Sequence, residues 1–369
     1  MMEIASGSSD AETVNCSSSV TRRSFLFGLG AAVVALSLSP QDAWSAEGKK
    51  LNFYNWDTYI GETTLADFKV SSGIDVKMDL FADNDELFAK LQKGNPGYDV
   101  IVPTNNYVER MIAARMLMPL DHSLIPNKSN IEPIFQDAAY DPGRKYSQPY
   151  MWGTAGIGYR KSRVEGVPDS WKWLLASDKY KGRIALQGDK STAIQMGLKL
   201  LGHSLNTTDP SLIKQVEEML IRQKPHIKSF ADDDGQDLLL AGEVDLTMEW
   251  NGDILQVMKK DADIGFVVPR EGGLLWQDCL CIPKGAPHPE NAHKFIDFLL
   301  RADAGASIAD FIQYATPNAA AKARMSASYR NNPAIFPPPE VTKASEFPVY
   351  LGEDYERLIE ETWARIQAV

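Results

Sequence analysis

The sequence predicts an α/β fold in which mostly parallel sheets are flanked by helices. Two patterns carry that expectation. Short apolar runs alternate with amphipathic helical segments between Leu51 and Val102, in the order β-α-β-α-β. A second set of the same kind begins near Arg183. A chain of 369 residues also exceeds what one core ordinarily supports, so about two domains are expected.

Residues 1–46 read as an address rather than as part of the fold. Arg22 and Arg23 precede a short apolar run over 25–38, and small residues follow up to Ala46. That is the layout of a twin-arginine export signal cleaved after Ala46. Gly28-Leu29-Gly30 has the look of a dinucleotide fingerprint, but it lies inside the signal. The signal fits export to the bacterial periplasm, with the thylakoid lumen as the alternative. No later apolar run is long enough to span a membrane.

The mature chain opens with a strand over 51–55. Leu65 and Phe68 then share one face of a helix ending near Gly73. A strand over 74–80 places Val76, Met78 and Leu80 on one side. Asp83 and Glu86 have capping-box spacing and open a helix through Leu87 and Leu91. A strand over 98–102 stops at Pro103. The segment 150–158, with three glycines, is the candidate hinge. Strands are expected over 183–186, 244–250, 264–268 and 274–282. Helices are expected over 192–201, 210–222, 237–240, 289–300, 304–312 and 354–366. Residues 331–339, with four prolines, read as a crossing loop.

Composition narrows the chemistry. A net charge of −11 leaves no broad basic surface for nucleic acid. Three cysteines make no disulfide framework, and Cys279 and Cys281 lie on one strand face, too far apart to bridge; both are expected as packed thiols. Gly-x-Ser-x-Gly, phosphate-loop, His-Glu-x-x-His and Cys-x-x-Cys motifs are all absent. His122, His203, His226, His288 and His293 are scattered and read as surface histidines. Asp232-Asp233-Asp234-Gly235 lacks calcium-loop spacing and reads as a solvated acidic turn.

Aromatics and carboxylates instead gather at strand ends. Trp56, Asp57 and Tyr59 follow the first strand; Trp250 and Asp253 follow a later one. Trp276 and Asp278 are two apart in a strand and share a face. Asp189 follows the 183–186 strand, and Tyr314 precedes Thr316-Pro317-Asn318. Open α/β sheets bind ligands beyond the carboxyl ends of their strands. Carboxylates can hold the ammonium ends of a flexible di- or polyamine while aromatic faces cover its methylenes. Singly, each tryptophan also fits packing, and Asp57, Asp189 and Asp253 each fit a helix cap; the combination carries the ligand reading.

At these residues the chain resembles the periplasmic spermidine/putrescine-binding proteins, the capture subunits of ATP-driven importers. The resemblance rests on Tyr54-Asn55-Trp56-Asp57-Thr58-Tyr59, Tyr98-Asp99-Val100-Ile101-Val102-Pro103, Pro149-Tyr150-Met151-Trp152-Gly153, Glu249-Trp250-Asn251-Gly252-Asp253, Glu271-Gly272-Gly273-Leu274-Leu275-Trp276-Gln277-Asp278 and Tyr314 with Thr316-Pro317-Asn318. It runs from about residue 51 to 323 and more weakly beyond. It implies a two-lobed periplasmic-binding-protein fold, lobe one from 47–153 and 277–322, lobe two from 154–276 and 323–369, with the ligand in the cleft. It implies Trp56 and Tyr59 as cleft aromatics, Trp250 and Trp276 sandwiching the methylene chain, and Asp278 on an ammonium with Asp189 near that end. Tyr314 would offer its hydroxyl or ring. Asp253 matches an aspartate of the putrescine-preferring branch, and Asp57 stands at a usually small polar position. Two positions depart from the pattern: Thr192 replaces a usual glutamate, and Asn106 a usual tyrosine or serine.

The resemblance therefore implies a monomeric, non-enzymatic capture protein without cofactor or metal. It would bind a di- or polyamine, close on it and deliver it to a membrane ABC permease. Two other readings use the same fold. One is a module for another cation, a metal or an anion, with Tyr59, Tyr107 and Tyr314 as conceivable iron ligands. The other is an enzyme using Cys279 or Cys281 as nucleophile.

Overall fold

The computed structural model describes residues 48–231 and 234–368. Residues 1–46, expected as an export signal, and Asp232-Asp233 of the acidic turn lie outside the described residues. The chain opens with β1 (Lys50–Asn55), α1 (Thr64–Ser72), β2 (Asp75–Leu80), α2 (Asn84–Gln92), β3 (Val100–Ile101) and α3 (Asn105–Ala113). A run of 3-10 turns leads to the long β4 (Ser147–Arg160). The second α/β set is α4 (Lys172–Leu175), β5 (Ile184–Gln187), α5 (Lys190–Leu200), α6 (Pro210–Gln223), β6 (Ile227–Ala231), α7 (Gly235–Leu240), β7 (Leu246–Trp250), α8 (Asn251–Met258) and β8 (Ile264–Val267). β9 (Leu275–Cys281) precedes α9 (Pro289–Leu299), α10 (Ala302–Ile312), α11 (Ala319–Lys322), α12 (Ala327–Arg330), α13 (Pro339–Ala344) and α14 (Glu353–Gln367).

The strands join in the order β2-β1-β3-β9-β4-β7-β5-β6, with β8 also on β4. The parallel pattern predicted from the β-α-β order holds in β2-β1-β3 and in β6-β5-β7. Between these triplets the sheet is mixed: β9 and β4 run antiparallel to their neighbours. β4 pairs with β9 over its first half and with β7 and β8 over its second. One continuous strand thus belongs to both halves of the two-lobed α/β fold.

Local signals explain most boundaries. Gly73 ends α1 with φ 73°, a left-handed cap that glycine adopts without strain. Asp83 caps α2 by accepting from the Glu86 N–H at 2.7 Å. Glu86 reaches back to the Ala82 N–H at 3.0 Å, one residue beyond the N-cap N–H of a standard capping box. The expected strand over 98–102 shrinks to two paired residues, because the Asp99 carboxylate rather than a main-chain carbonyl takes the Asn52 N–H at 2.7 Å. Leu80, expected on the buried side, is exposed because β2 is the edge strand.

The hinge segment 150–158 is strand throughout, and its glycines serve packing. A Cβ on Gly153 would lie 2.6 Å from the Trp276 ring; on Gly158 it would lie 2.5 Å from Ile254. Phe53, Phe68 and Phe295 pack edge to face on the outer side of β1, with centroids at 4.9–5.1 Å. Each such ring removed from water stabilises the fold by about 1.5–3 kcal/mol.

Two histidines depart from the surface reading. The His288 ring and backbone N–H both meet the buried Asp99 carboxylate, at 2.9 and 2.7 Å. His293 is buried and receives the Asp121 N–H at 2.9 Å. Cys279 and Cys281 are free, buried thiols, as their same-face spacing predicts. They face away from Asp278 and lie in the core with Tyr54, Leu87 and Tyr98.

Candidate functional site

One cavity of about 330 Å³ opens beyond the carboxyl ends of β1, β3, β5 and β7. All eleven residues singled out in the sequence line it: Trp56, Asp57, Tyr59, Asn106, Asp189, Thr192, Trp250, Asp253, Trp276, Asp278 and Tyr314. Each arrives by a simple local device. Trp56, Asp57 and Tyr59 follow β1, and the Trp56 indole N–H is fixed on the Val102 carbonyl at 2.8 Å. Asn106 lies in the first turn of α3. Trp250 ends β7 and Asp253 sits in the first turn of α8. Trp276 and Asp278 alternate inward on β9. Tyr314 follows α10, whose cap Gln313 turns the chain with φ 64°.

Asp253 and Asp278 both line the cavity. The Thr104 hydroxyl donates to Asp278 at 2.7 Å, and the Tyr314 hydroxyl donates to Asp253 at 2.6 Å. Burial pushes the Asp278 carboxyl up to about 7 against these donors. Asp253 keeps some exposure to the cavity, yet the protein packed around it pushes its pKa up to about 6. Among the described residues no lysine, arginine or histidine pairs with either carboxylate. Between them stand Tyr59, Tyr314 and Trp276. The Tyr59 and Tyr314 centroids are 5.4 Å apart, those of Tyr314 and Trp276 5.0 Å. Asp57 is exposed at the mouth and accepts from the Thr58 N–H at 2.8 Å.

The tryptophan sandwich does not form. Trp250 and Trp276 meet edge to face, with centroids 6.1 Å apart and planes at 81°. A methylene chain between two parallel faces needs roughly 7 Å of separation. The two indoles instead stand nearly perpendicular to each other in the cavity wall.

A second charged group on the cavity wall is Asp189, Asp85 and Lys190, and two of these three were missed in the sequence. Asp189 is a helix cap as well as a lining residue: its Oδ1 accepts from both the Thr192 N–H and the Thr192 hydroxyl at 2.7 Å. Thr192, the departure from the usual glutamate, thereby positions Asp189. Burial raises the Asp189 carboxyl, with the Thr192 bonds opposing. Lys190 Nζ meets Asp85 Oδ2 at 2.7 Å across the cavity. The Tyr107 hydroxyl donates to the other Asp85 oxygen at 2.6 Å, with Arg110 at 3.6 Å. Burial works against both charges, yet the pair prevails: Asp85 lies below, and Lys190 above, its ordinary pKa. Lys190 adjoins Asp189 in the chain, but its partner is 105 positions away and carried no sequence signal. Gln187, Gln195, Thr104 and Trp363 complete parts of the wall.

Neither thiol lines the cavity, which removes the nucleophile suggested for an enzyme. No group of His, Cys, Asp or Glu able to hold a metal occurs among the described residues. No helix among them is long and apolar enough to cross a membrane.

A family model described as bacterial extracellular solute-binding protein matches residues 63–337. The chain belongs to that family. It is 34% identical over 339 residues to the spermidine/putrescine-binding periplasmic protein of Escherichia coli K12, covering 91% of this chain and 97% of the relative. It is 30% identical over 367 residues to the putrescine-binding periplasmic protein PotF of the same organism, covering 94% and 98%. Among solved structures, the spermidine/putrescine ABC transporter substrate-binding protein PotD of Streptococcus pneumoniae superposes with a TM-score of 0.75. The two are 30% identical, over 86% of this chain and 98% of that one. Solute-binding proteins capture and release their ligands unchanged, and this chain is such a protein rather than an enzyme.

Proposed function

We propose that the protein captures a di- or polyamine of the putrescine/spermidine class in this cavity and delivers it to a membrane ABC permease. The observation that carries this reading is the pair Asp253 and Asp278. Two carboxylates held in protein without a basic partner are unfavourable until a cation arrives. The cavity offers that cation an aromatic wall for its methylenes and its charge. Closure then follows as a ligand-biased shift between open and closed populations of the two lobes. We take lobe one as 47–153 with 277–322 and lobe two as 154–276 with 323–369. The packing of Phe295 on Phe53, and of α14 against α5 and α6, supports that division. The arginine pair at 22–23 supports export by the twin-arginine route, to the periplasm or alternatively the thylakoid lumen.

The test is calorimetric titration with putrescine, spermidine and spermine beside neutral and anionic controls of similar length. Saturable one-to-one binding of an amine, with a change in tryptophan fluorescence, is expected. Folded protein that binds no amine would overturn the reading.

A further inference from the structure

The two groups of carboxylates on the cavity wall are not equivalent. Asp253 and Asp278 both await a cation, one on each side of the Tyr59–Tyr314 pair. In the Asp189/Asp85 group one of the two carboxylates, Asp85, is already matched from within the chain. Asp85 has the Lys190 ammonium at 2.7 Å and the Tyr107 hydroxyl at 2.6 Å. One oxygen of Asp189 is committed to Thr192. Lys190 is 18% exposed, lines the cavity and is its sole basic lining residue among the described residues.

We propose that Lys190 restricts this protein to diamines, its own ammonium standing where a longer amine would have to place a third cation. This rests on the amine reading above and makes it narrower. A four- or five-carbon diamine can set its two ammonium groups on Asp253 and Asp278 and stay clear of Lys190. A triamine that does the same must direct its third ammonium along the cavity toward Asp189. There it meets the Lys190 ammonium, a like charge in a partly dehydrated space. Of the two carboxylates beside it, Asp85 is already paired and Asp189 has one oxygen committed to Thr192. Rejection by a placed repulsive group is a general route to specificity. Asp57 does not relieve the conflict, because it lies at the mouth on the side of Asp253.

The experiment compares putrescine and spermidine by calorimetry on the wild type, Lys190→Gln and Lys190→Arg, at one pH and salt concentration. The wild type is expected to bind putrescine about tenfold or more tighter than spermidine. Lys190→Gln, which keeps a donor toward Asp85, should raise the ratio of spermidine to putrescine affinity by about tenfold. Lys190→Arg should retain the wild-type ratio. An unchanged ratio in a folded Lys190→Gln protein that still binds putrescine overturns the proposal and leaves the amine reading standing. If Lys190→Gln does not fold, the wild type decides: spermidine bound as tightly as putrescine overturns the proposal. Absence of binding by either amine to the folded wild type overturns the amine reading itself.

Discussion

Replacing Asp278 by Asn should make the unliganded protein more stable and the binding protein worse. The side chain is buried, and its acid is pushed from 3.8 up to about 7 by that burial. A folded-state pKa above the unfolded one means that the native state holds the proton more tightly. Stability from this group is therefore fully present below about pH 4 and is lost as pH rises through about 7. A shift of about three units corresponds to about 4 kcal/mol once the carboxylate is ionised. Asn keeps the shape and an oxygen for the Thr104 hydroxyl, which now donates at 2.7 Å, but carries no charge to desolvate.

At pH 8 the variant should unfold later by about 2–4 kcal/mol after relaxation of the site, which at ~2 °C per kcal/mol is roughly 4–8 °C in Tm. At pH 4 the two proteins should melt together. Amine affinity at pH 8 should fall by about 100-fold or more, since an ammonium would lose its charged partner. Calorimetric melting from pH 4 to 9 and titration with putrescine measure both. A variant no more stable than wild type at pH 8, or one with undiminished affinity, refutes the assignment of Asp278 as an uncompensated carboxylate awaiting a cation.

Three further outcomes follow from the same geometry. Because Asp278 and Asp253 must ionise to hold ammonium, with values of about 7 and 6, affinity should drop as pH falls. The slope should be about tenfold per pH unit between 7 and 6 and steeper below; affinity independent of pH from 5 to 8 contradicts this. Tyr314→Phe removes the 2.6 Å donor to Asp253, so the Asp253 pKa should rise further and putrescine affinity at neutral pH should fall by about tenfold. Gly153→Ala puts a Cβ 2.6 Å from the Trp276 ring. It should cost about 1–3 kcal/mol in stability and lower amine affinity by displacing that ring, whereas a purely flexible hinge glycine would leave Trp276 fluorescence unchanged.

The sequence was legible where a signal is local. Amphipathic helices, the Asp83 cap and the strands of the first parallel triplet follow from spacing within about twenty residues; β6, the outer strand of the second triplet, was not expected. β4 was hidden because both of its faces are buried, so it shows no alternation, and its glycines imitate a loop. The cavity residues were legible because strand ends and the Trp-x-Asp pair on β9 put them in one place whatever the loops do. What stayed hidden depended on distant partners: Asp99 for His288, Asp121 for His293 and Asp85 for Lys190. The relative angle of Trp250 and Trp276 was equally hidden, since two strands' ends fix it jointly and neither segment encodes it alone.

Residues of α3 grip the segment leading into α14, and this contact separates affinity from specificity. The Asn105 amide donates to the Pro348 carbonyl at 2.6 Å, Glu109 accepts from the Tyr350 N–H at 2.9 Å, and Arg110 forms a two-pronged pair with Glu353 at 2.8 and 2.9 Å. These links join the two sides of the cavity outside the amine-facing wall. If they favour the closed population, weakening them taxes every ligand by the same factor, because apparent affinity scales with the closed fraction. Glu353 is largely exposed, so the pair is worth no more than about 1 kcal/mol. Arg110→Gln should therefore weaken putrescine and spermidine alike, by about two- to fivefold, leaving their ratio at the wild-type value. Lys190→Gln should instead change the ratio. A changed ratio in Arg110→Gln would mean that Arg110 acts on the cavity through Asp85, which it approaches at 3.6 Å, rather than on closure.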